Sequence, residues 1–310
     1  MLKREGGTLS EIRPIRFVEL ESGLVQEERV YGGRWIKLLY GTFLGRAISA
    51  LIAAPPFSRL YGWLQDRPWS RRKVKPFIEQ FEINMEDFLP EEGRTPDDPY
   101  SSFNAFFTRR VTDSARPFVE GNDFPAPCDA RYFAYASLND EVSIPVKGSC
   151  FKASALLNHP QWNGVFDEGP GFIARLCPVD YHRFHFPDKG RVLDSWRIAG
   201  ALHSVNPWAL AFREDIFMIN EREVTILETE HFGKLAYVEV GATCVGKIQQ
   251  THHESSFERG DEKGMFLFGG STVIVLGEPG RWALDQRILD YTNEGVETYL
   301  KMGQPLGNAL

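Results

Sequence analysis

From residue 131 onward the chain is cut into short lengths. Runs rich in β-branched and aromatic residues, at 131–137, 141–146, 171–176, 191–198, 223–228, 235–240, 244–250 and 272–276, alternate with turns of Gly, Pro, Asn and Asp. Runs this short, bounded this closely, suit strands better than core helices. Their spacing predicts a mainly antiparallel sheet or barrel-like body, with brief helical turns near 154–159 and 206–212. No internal repeat or low-complexity tract interrupts it. A chain of 310 residues can bury a real core in one large domain or two smaller ones.

The front of the chain has a different texture. Residues 1–30 are polar and mixed, an extended or partly ordered lead-in. Beyond Trp35, apolar residues from Ile36 to Leu51 recur at helical spacing and stop before Pro55-Pro56. A second helical stretch begins near Phe57, and a third runs from about Trp69 to Phe81. A Pro/Asp-rich turn and an aromatic segment, Ser102-Phe-Asn-Ala-Phe-Phe-Thr-Arg109, then lead into the β region. The expected fold class is α+β: a helical, membrane-associating region over 1–90 and a β-rich catalytic domain over 91–310.

Charge supports that division. The chain carries a net charge of −7, yet 34–75 holds nine basic residues and a single acid, Asp66. Such a reversal needs a reason. The apolar stretch is too short and too interrupted by Lys37 and Arg46 to span a bilayer. It suits an interfacial helix, with Arg and Lys on anionic headgroups and Trp35, Tyr61, Trp63 and Trp69 at the boundary. The competing reading is a helical hairpin packed on the protein's own core. No nucleic-acid partner is expected. Four scattered cysteines without a C-x-x-C pair, and no apolar stretch behind the first basic residues, point to a reducing compartment. No Cys or His pairs fall at structural zinc spacing, so no metal is expected.

The segment that carries chemistry is Lys263-Gly-Met-Phe-Leu-Phe-Gly-Gly-Ser-Thr-Val-Ile-Val-Leu276. An apolar strand-like approach enters a Gly269-Gly270 corner and leaves through another β run. Glycines allow strained backbone and close approach to the peptide. A hydroxyl placed directly after them, that of Ser271, can attack the carbonyl of Gly270. Alone, Gly-Gly-Ser-Thr reads as a tight turn or a phosphate-binding nest, since Gly-Gly-Ser turns are common.

A serine attacking an amide needs a base, and neutral imidazole is the usual one near pH 7. Cys177-Pro-Val-Asp-Tyr-His-Arg-Phe-His-Phe-Pro187 supplies His182 and His185. Three apart, they face opposite sides in a strand but converge in a tight turn. A carboxylate would fix the base's tautomer; Asp129, in Ala126-Pro-Cys-Asp-Ala130, and Asp180 are both candidates.

Four blocks resemble phosphatidylserine decarboxylases in order and spacing: Pro178-Val-Asp-Tyr-His-Arg-Phe-His185, His203-Ser-Val-Asn206, Val240-Gly-Ala-Thr-Cys-Val-Gly246 and Phe268-Gly-Gly-Ser-Thr-Val-Ile274. The segments 102–109, Ala115-Arg-Pro117 and Gly303-Gln-Pro-Leu306 are similar to the same family, so the resemblance runs over about 57–307. It departs in two places: the family's usual Ala-Asp-Gly reads Cys128-Asp129-Ala130, and the Leu-Gly-Ser-Thr of some members reads Gly269-Gly270-Ser271-Thr272, a variant also found in the family.

The resemblance implies a proenzyme that cuts itself at Gly270–Ser271 into 1–270 and 271–310, which stay associated. Ser271 becomes a covalent pyruvoyl cofactor. His185 is implied as the self-cleavage base with Asp129 as its acidic partner, and His182 as the group serving decarboxylation. The implied reaction turns phosphatidylserine into phosphatidylethanolamine through a Schiff base, at an anionic membrane surface on the cytoplasmic face, as a peripheral protein. A homodimer is one form open to it. Two other readings stay open: a soluble pyruvoyl-dependent amino-acid decarboxylase, and a non-catalytic β domain held at a membrane.

Overall fold

The computed structural model describes residues 14–30, 33, 42, 45, 48–49, 52–138, 143–144, 149–150, 153–213, 215–243 and 248–310. Most of the periodic stretch expected at 36–51 lies outside them, as do 244–247 and most of 141–146.

Six of the eight strand runs enter a ten-stranded sheet. Its order is Ser256–Phe257, Gly190–Ile198, Arg222–Thr229, Gly233–Gly241, Ser271–Gly277, Gly171–Leu176, Ala130–Tyr135, Glu297–Leu300, Arg16–Glu19 and Val25–Glu27. Neighbours are antiparallel, apart from Arg16–Glu19 beside Glu297–Leu300. Helices and antiparallel sheets together make an α+β fold, as the spacing of the runs led one to expect. Two strands come from the polar lead-in, so the first ninety residues contribute to the β body as well as to helices.

Ser271–Gly277 is buried along its whole length, and its Val-Ile-Val-Leu run suits a strand covered on both faces. One flank pairs Ser271 with Gly241, the other with Leu176. A second sheet, ordered Arg183–His185, Glu262–Phe266, Ile248–Gln250, carries the histidine segment. Its pairing slips by one residue between Phe184 and His185.

The helical front begins at Pro55–Gln65, where prolines occupy the first turn, which has no need of their missing N–H groups. The helix expected over 69–81 is split into a 3-10 turn, Pro68–Lys73, and an α-helix, Val74–Phe81. Ser70 causes the break. Its buried hydroxyl donates to the carbonyls of Gln65 and Arg67 and accepts the Phe103 N–H at 2.9 Å. A side chain committed that way replaces helical hydrogen bonds. A short helix, Phe103–Phe107, is capped by Ser102 and packs Phe103, Phe106 and Phe107 against Phe77 and Phe268.

Candidate active site

Phe268 enters the corner with its N–H held by Asn104 Oδ1 at 2.9 Å and its ring against Phe103 and Phe107. Gly269 follows with φ +144°, a conformation that costs a side-chain-bearing residue strain. Gly270 differs, because a Cβ there would meet only Val205 Cγ2, at 3.7 Å. Ser271 then opens the central strand. Its hydroxyl is fully buried and has no hydrogen-bond partner. Buried hydroxyls are normally paired, so this one is held out of the structural bonding.

His182 precedes the Arg183–His185 strand and His185 ends it. His182 is wholly buried, its ring 3.7 Å from that of Phe107. Phe107 also touches Phe268, so a single aromatic ring connects His182 with the approach to Ser271. The backbone agrees: the His182 carbonyl accepts the Phe266 N–H at 2.9 Å. His182 Nδ1 lies 2.9 Å from the Asp180 carbonyl oxygen, which can only accept, so Nδ1 carries the proton and Nε2 is a bare lone pair. Nε2 has no partner. Burial drops the imidazole to about 3, with the Arg109 cation also lowering it, against the pull of the Asp180 carbonyl.

His185 lies between the rings of Tyr181 and Phe118, and its Nδ1 is unpartnered. Burial lowers it to about 4, opposed by the charges of Glu262, Asp129 and Asp261. Asp129 is in electrostatic reach of it, but its carboxylate is not hydrogen-bonded to it. That carboxylate takes a bidentate grip from Arg116, at 2.9 and 2.8 Å, and the Met302 N–H at 2.7 Å. What brings the two together is the backbone, through His185 N–H to Pro127 O at 2.9 Å. Asp180 serves differently. Its carboxylate accepts from Arg131 and from Cys177 N–H, both at 2.7 Å, and burial raises it to about 6 despite Arg131. It therefore still carries charge at neutral pH, while its carbonyl orients His182.

Several further residues here act through partners that their sequence neighbourhood does not signal. Arg109 is buried with no carboxylate partner; it donates to Val179 O at 2.8 Å and Asp180 O at 3.3 Å and lies over Phe88 and Phe106. Glu28, from the polar lead-in, reaches Arg131 and Arg175, whose guanidinium also binds Glu297. Nothing local in the sequence signals that network. Its members meet only once the sheet forms.

The family model for phosphatidylserine decarboxylase matches residues 103–308. Curated relatives match nearly end to end. A phosphatidylserine decarboxylase proenzyme of Chlamydia trachomatis serovar L2 is 39% identical over 298 residues, 95% of this chain and 97% of that protein. One of Fusobacterium nucleatum subsp. nucleatum is 37% identical over 297 residues, 95% and 97%. One of Clostridium novyi is 38% identical over 286 residues, 91% and 95%. The chain belongs to the phosphatidylserine decarboxylase family. It is thereby a carboxy-lyase of the proenzyme type, as the blocks at 178–185 and 268–274 led one to expect. Ser271, His182, His185, Asp129, Asp180 and Arg109 all fall inside the matched span, and Glu28 lies outside it.

Proposed function

We propose that this chain cuts itself between Gly270 and Ser271 and then, with the pyruvoyl group so made, decarboxylates phosphatidylserine to phosphatidylethanolamine. The observation that carries the reading is the buried, unpartnered Ser271 hydroxyl directly after a glycine corner. Ser271 Oγ attacks the Gly270 carbonyl carbon, a base takes the hydroxyl proton, and the amide nitrogen leaves to give an ester. Removal of the Ser271 α-proton then expels the Gly270 carboxylate. The dehydroalanine left behind hydrolyses with loss of ammonia. His185 fits the base, since a neutral imidazole is ready to accept. Asp129 would act on it through its field, held in place by Arg116.

The group at 271 supplies an electron sink for the departing carbon dioxide. It fits the site, because nothing else uses that position's side chain. His182 contributes a bare Nε2, which takes the proton that the substrate's ammonium must lose before its nitrogen can react. The same atom can then return that proton to the α-carbon. This refines a simple acid role: His182 begins as an acceptor.

Two regions, 1–90 and 91–310, would divide the work of membrane contact and catalysis. Two chains, 1–270 and 271–310, would remain one fold. The later chain supplies Ser271–Gly277, Glu297–Leu300 and Pro305–Ala309, each lying between strands or beside a strand of the earlier one. No helix of the described residues is long and apolar enough to cross a membrane. Yet Phe57, Leu60 and Leu64 share one face of Pro55–Gln65 and are 36–58% exposed, with Trp69 56% exposed nearby. An apolar stripe turned to solvent marks an interaction surface. Tyr61 of the same helix packs on Phe268, so a bilayer met by that stripe lies over the cleavage corner. This favours a lipid substrate over a free amino acid and peripheral attachment to a membrane, for which we propose the cytoplasmic face.

Intact mass of the purified protein tests the reading. Expected are two fragments meeting at 270/271, the smaller one lighter by one ammonia than a serine-started peptide, with Ser271→Ala remaining full length. A wild-type chain that stays whole after long incubation overturns it.

A further inference from the structure

His203 and Arg213 form a second polar pair beside the cleavage corner. Arg213 Nη1 lies 3.2 Å from His203 Nε2. A guanidinium can only donate, so Nε2 is the acceptor and the ring proton sits on Nδ1. That Nδ1–H is buried, in a residue 5% exposed, and has no partner. Arg213 is half exposed, and its Nε is occupied by Asp215 Oδ1 at 2.9 Å.

The loop carrying His203 is fixed with respect to Ser271. Asn220 accepts the His203 N–H at 3.0 Å and donates to both the His203 and Gly241 carbonyls at 2.8 Å. Gly241 is the cross-strand neighbour of Ser271. Val205, two residues on, lies against Gly270. On its other side the loop is tied to the helical front, through Leu202 N–H to Ala53 O at 2.9 Å, just before the exposed apolar helix. The His203 loop is therefore tied on one side to the residues just before the exposed apolar helix and on the other to the strand beside Ser271.

We propose that His203 Nδ1–H, held in that tautomer by Arg213 on Nε2, binds the phosphodiester of the substrate's headgroup. The inference rests on the function proposed above and extends it. In a serine phospholipid the phosphodiester lies between the acyl-bearing glycerol and the reacting amine, as the His203 loop is tied between the apolar helix and the strand beside Ser271 here. An imidazole N–H backed by a cation on its other ring nitrogen is a strong donor to a phosphate oxygen. The alternative anion is the carboxylate. A cation on the carboxylate stabilises the ground state more than a transition state in which that charge departs, which opposes decarboxylation. A phosphodiester keeps its charge throughout, so its binding is uniform and appears in KM.

The test uses the processed enzyme and two variants, His203→Phe and Arg213→Gln, with gel mobility first establishing that each has folded and cut itself. On phosphatidylserine in mixed micelles, KM should rise about tenfold for either variant, and kcat should fall much less. Soluble probes identify the anion. Glycerophosphoethanolamine, a phosphodiester without a carboxylate, should inhibit wild type better than inorganic phosphate does and should lose about tenfold potency on the variants. Inhibition by L-serine, which has the carboxylate but no phosphate, should not change. An unchanged KM in processed variants overturns the proposal, as does selective loss of L-serine inhibition. Inorganic phosphate matching the phosphodiester also overturns it, by reducing the pair to a general anion site. Wild type that neither cuts nor decarboxylates points instead to failure of the underlying function.

Discussion

The Arg109 guanidinium and the His182 imidazole share one acceptor, the carbonyl oxygen of Asp180, at 3.3 and 2.9 Å. The cation thus fixes the turn that sets the tautomer of His182, and its field helps to keep that ring neutral. Arg109→Met removes both effects. Hydrogen bonds from charged donors are worth about 1.5–3 kcal/mol, so decarboxylation turnover should fall about 10- to 100-fold while self-cleavage continues. The acid limb of the pH–rate profile should move toward neutrality, because the imidazole becomes easier to protonate. Arg109→Lys should keep that limb near its original place but stay slow, since an ammonium lacks the fork that bridges Val179 O and Asp180 O. An unmoved limb in Arg109→Met would leave Arg109 a purely structural residue.

Asn104 holds the approach to the cut from the other side. Its Oδ1 accepts the Phe268 N–H, and its Nδ2 donates to Asp66 Oδ1 at 2.7 Å, joining the corner to the end of the exposed helix. Asn104→Ala leaves a buried N–H unpaired two positions before the cleaved carbonyl, at a cost of about 1–3 kcal/mol. The half-time of proenzyme processing, followed by gel densitometry at fixed pH, should lengthen. Asn104→Asp restores the acceptor for Phe268 but meets Asp66 as a like charge, so it should recover only part of the rate. Processing at the wild-type rate in Asn104→Ala would remove this residue from the cleavage apparatus.

Much of the sheet was legible because its central strands are buried on both faces and rich in Val, Ile and Leu. The 171–176 run coincides with its strand, and 272–276 falls one residue inside each end of Ser271–Gly277. Arg16–Glu19 and Glu297–Leu300 gave no clear period because polar residues are mixed into them, and the strand-like approach expected at 266–268 is instead the end of Glu262–Phe266. The helix expected over 69–81 failed at Ser70, whose hydroxyl is committed to a contact 33 residues away. At the site, the reactive groups were readable as types, Ser271 after two glycines and two histidines near an acid. Their partners were not. The spacing of His182 and His185 left strand and turn both open, and the structure takes neither simply: His182 stands outside the strand and a register slip precedes His185. Likewise Asp129 belongs to Arg116, a pairing set by the tertiary fold.

Acid should destabilise the fold through the buried imidazoles of His182 and His185. Both titrate lower in the folded chain, near 3 for His182 and 4 for His185, than the usual 6.5. The unfolded chain therefore binds protons first as pH falls. Stability from each is fully present above about 6.5 and is lost progressively toward its folded value, at about 1.4 kcal/mol per pH unit. Asp180 and Glu239 work in the opposite sense. Burial raises them to about 6 and 7, so their contribution is full below the ordinary carboxylate range and is lost as pH rises through those values. A single variant separates the terms. The gap in urea-unfolding free energy between Ser271→Ala and the double variant Ser271→Ala/His182→Phe should change by about 1.4 kcal/mol per unit between pH 6 and 4, narrowing as pH falls. A constant gap would mean that His182 protonates in the folded chain as readily as in the unfolded one.

The two glycines before the cut should separate strain from chemistry. Gly269 has φ +144°, where an L-residue is strained whatever the room around it, and such positions cost about 1–3 kcal/mol. Gly269→Ala should therefore lower the melting temperature and slow processing together. Gly270 has no such constraint, and a methyl there meets only Val205 at ordinary contact distance. Gly270→Ala should leave the melting temperature of the uncut Ser271→Ala background almost unchanged. In the native background it should still slow processing, because the added methyl stands on the carbon next to the attacked carbonyl, in the path of Ser271 Oγ. The decisive comparison is thus melting temperature in the uncut background against cleavage half-time in the native one. If Gly270→Ala cuts as fast as wild type, the glycine serves the fold alone, and attack by Ser271 is not limited by access to that carbonyl.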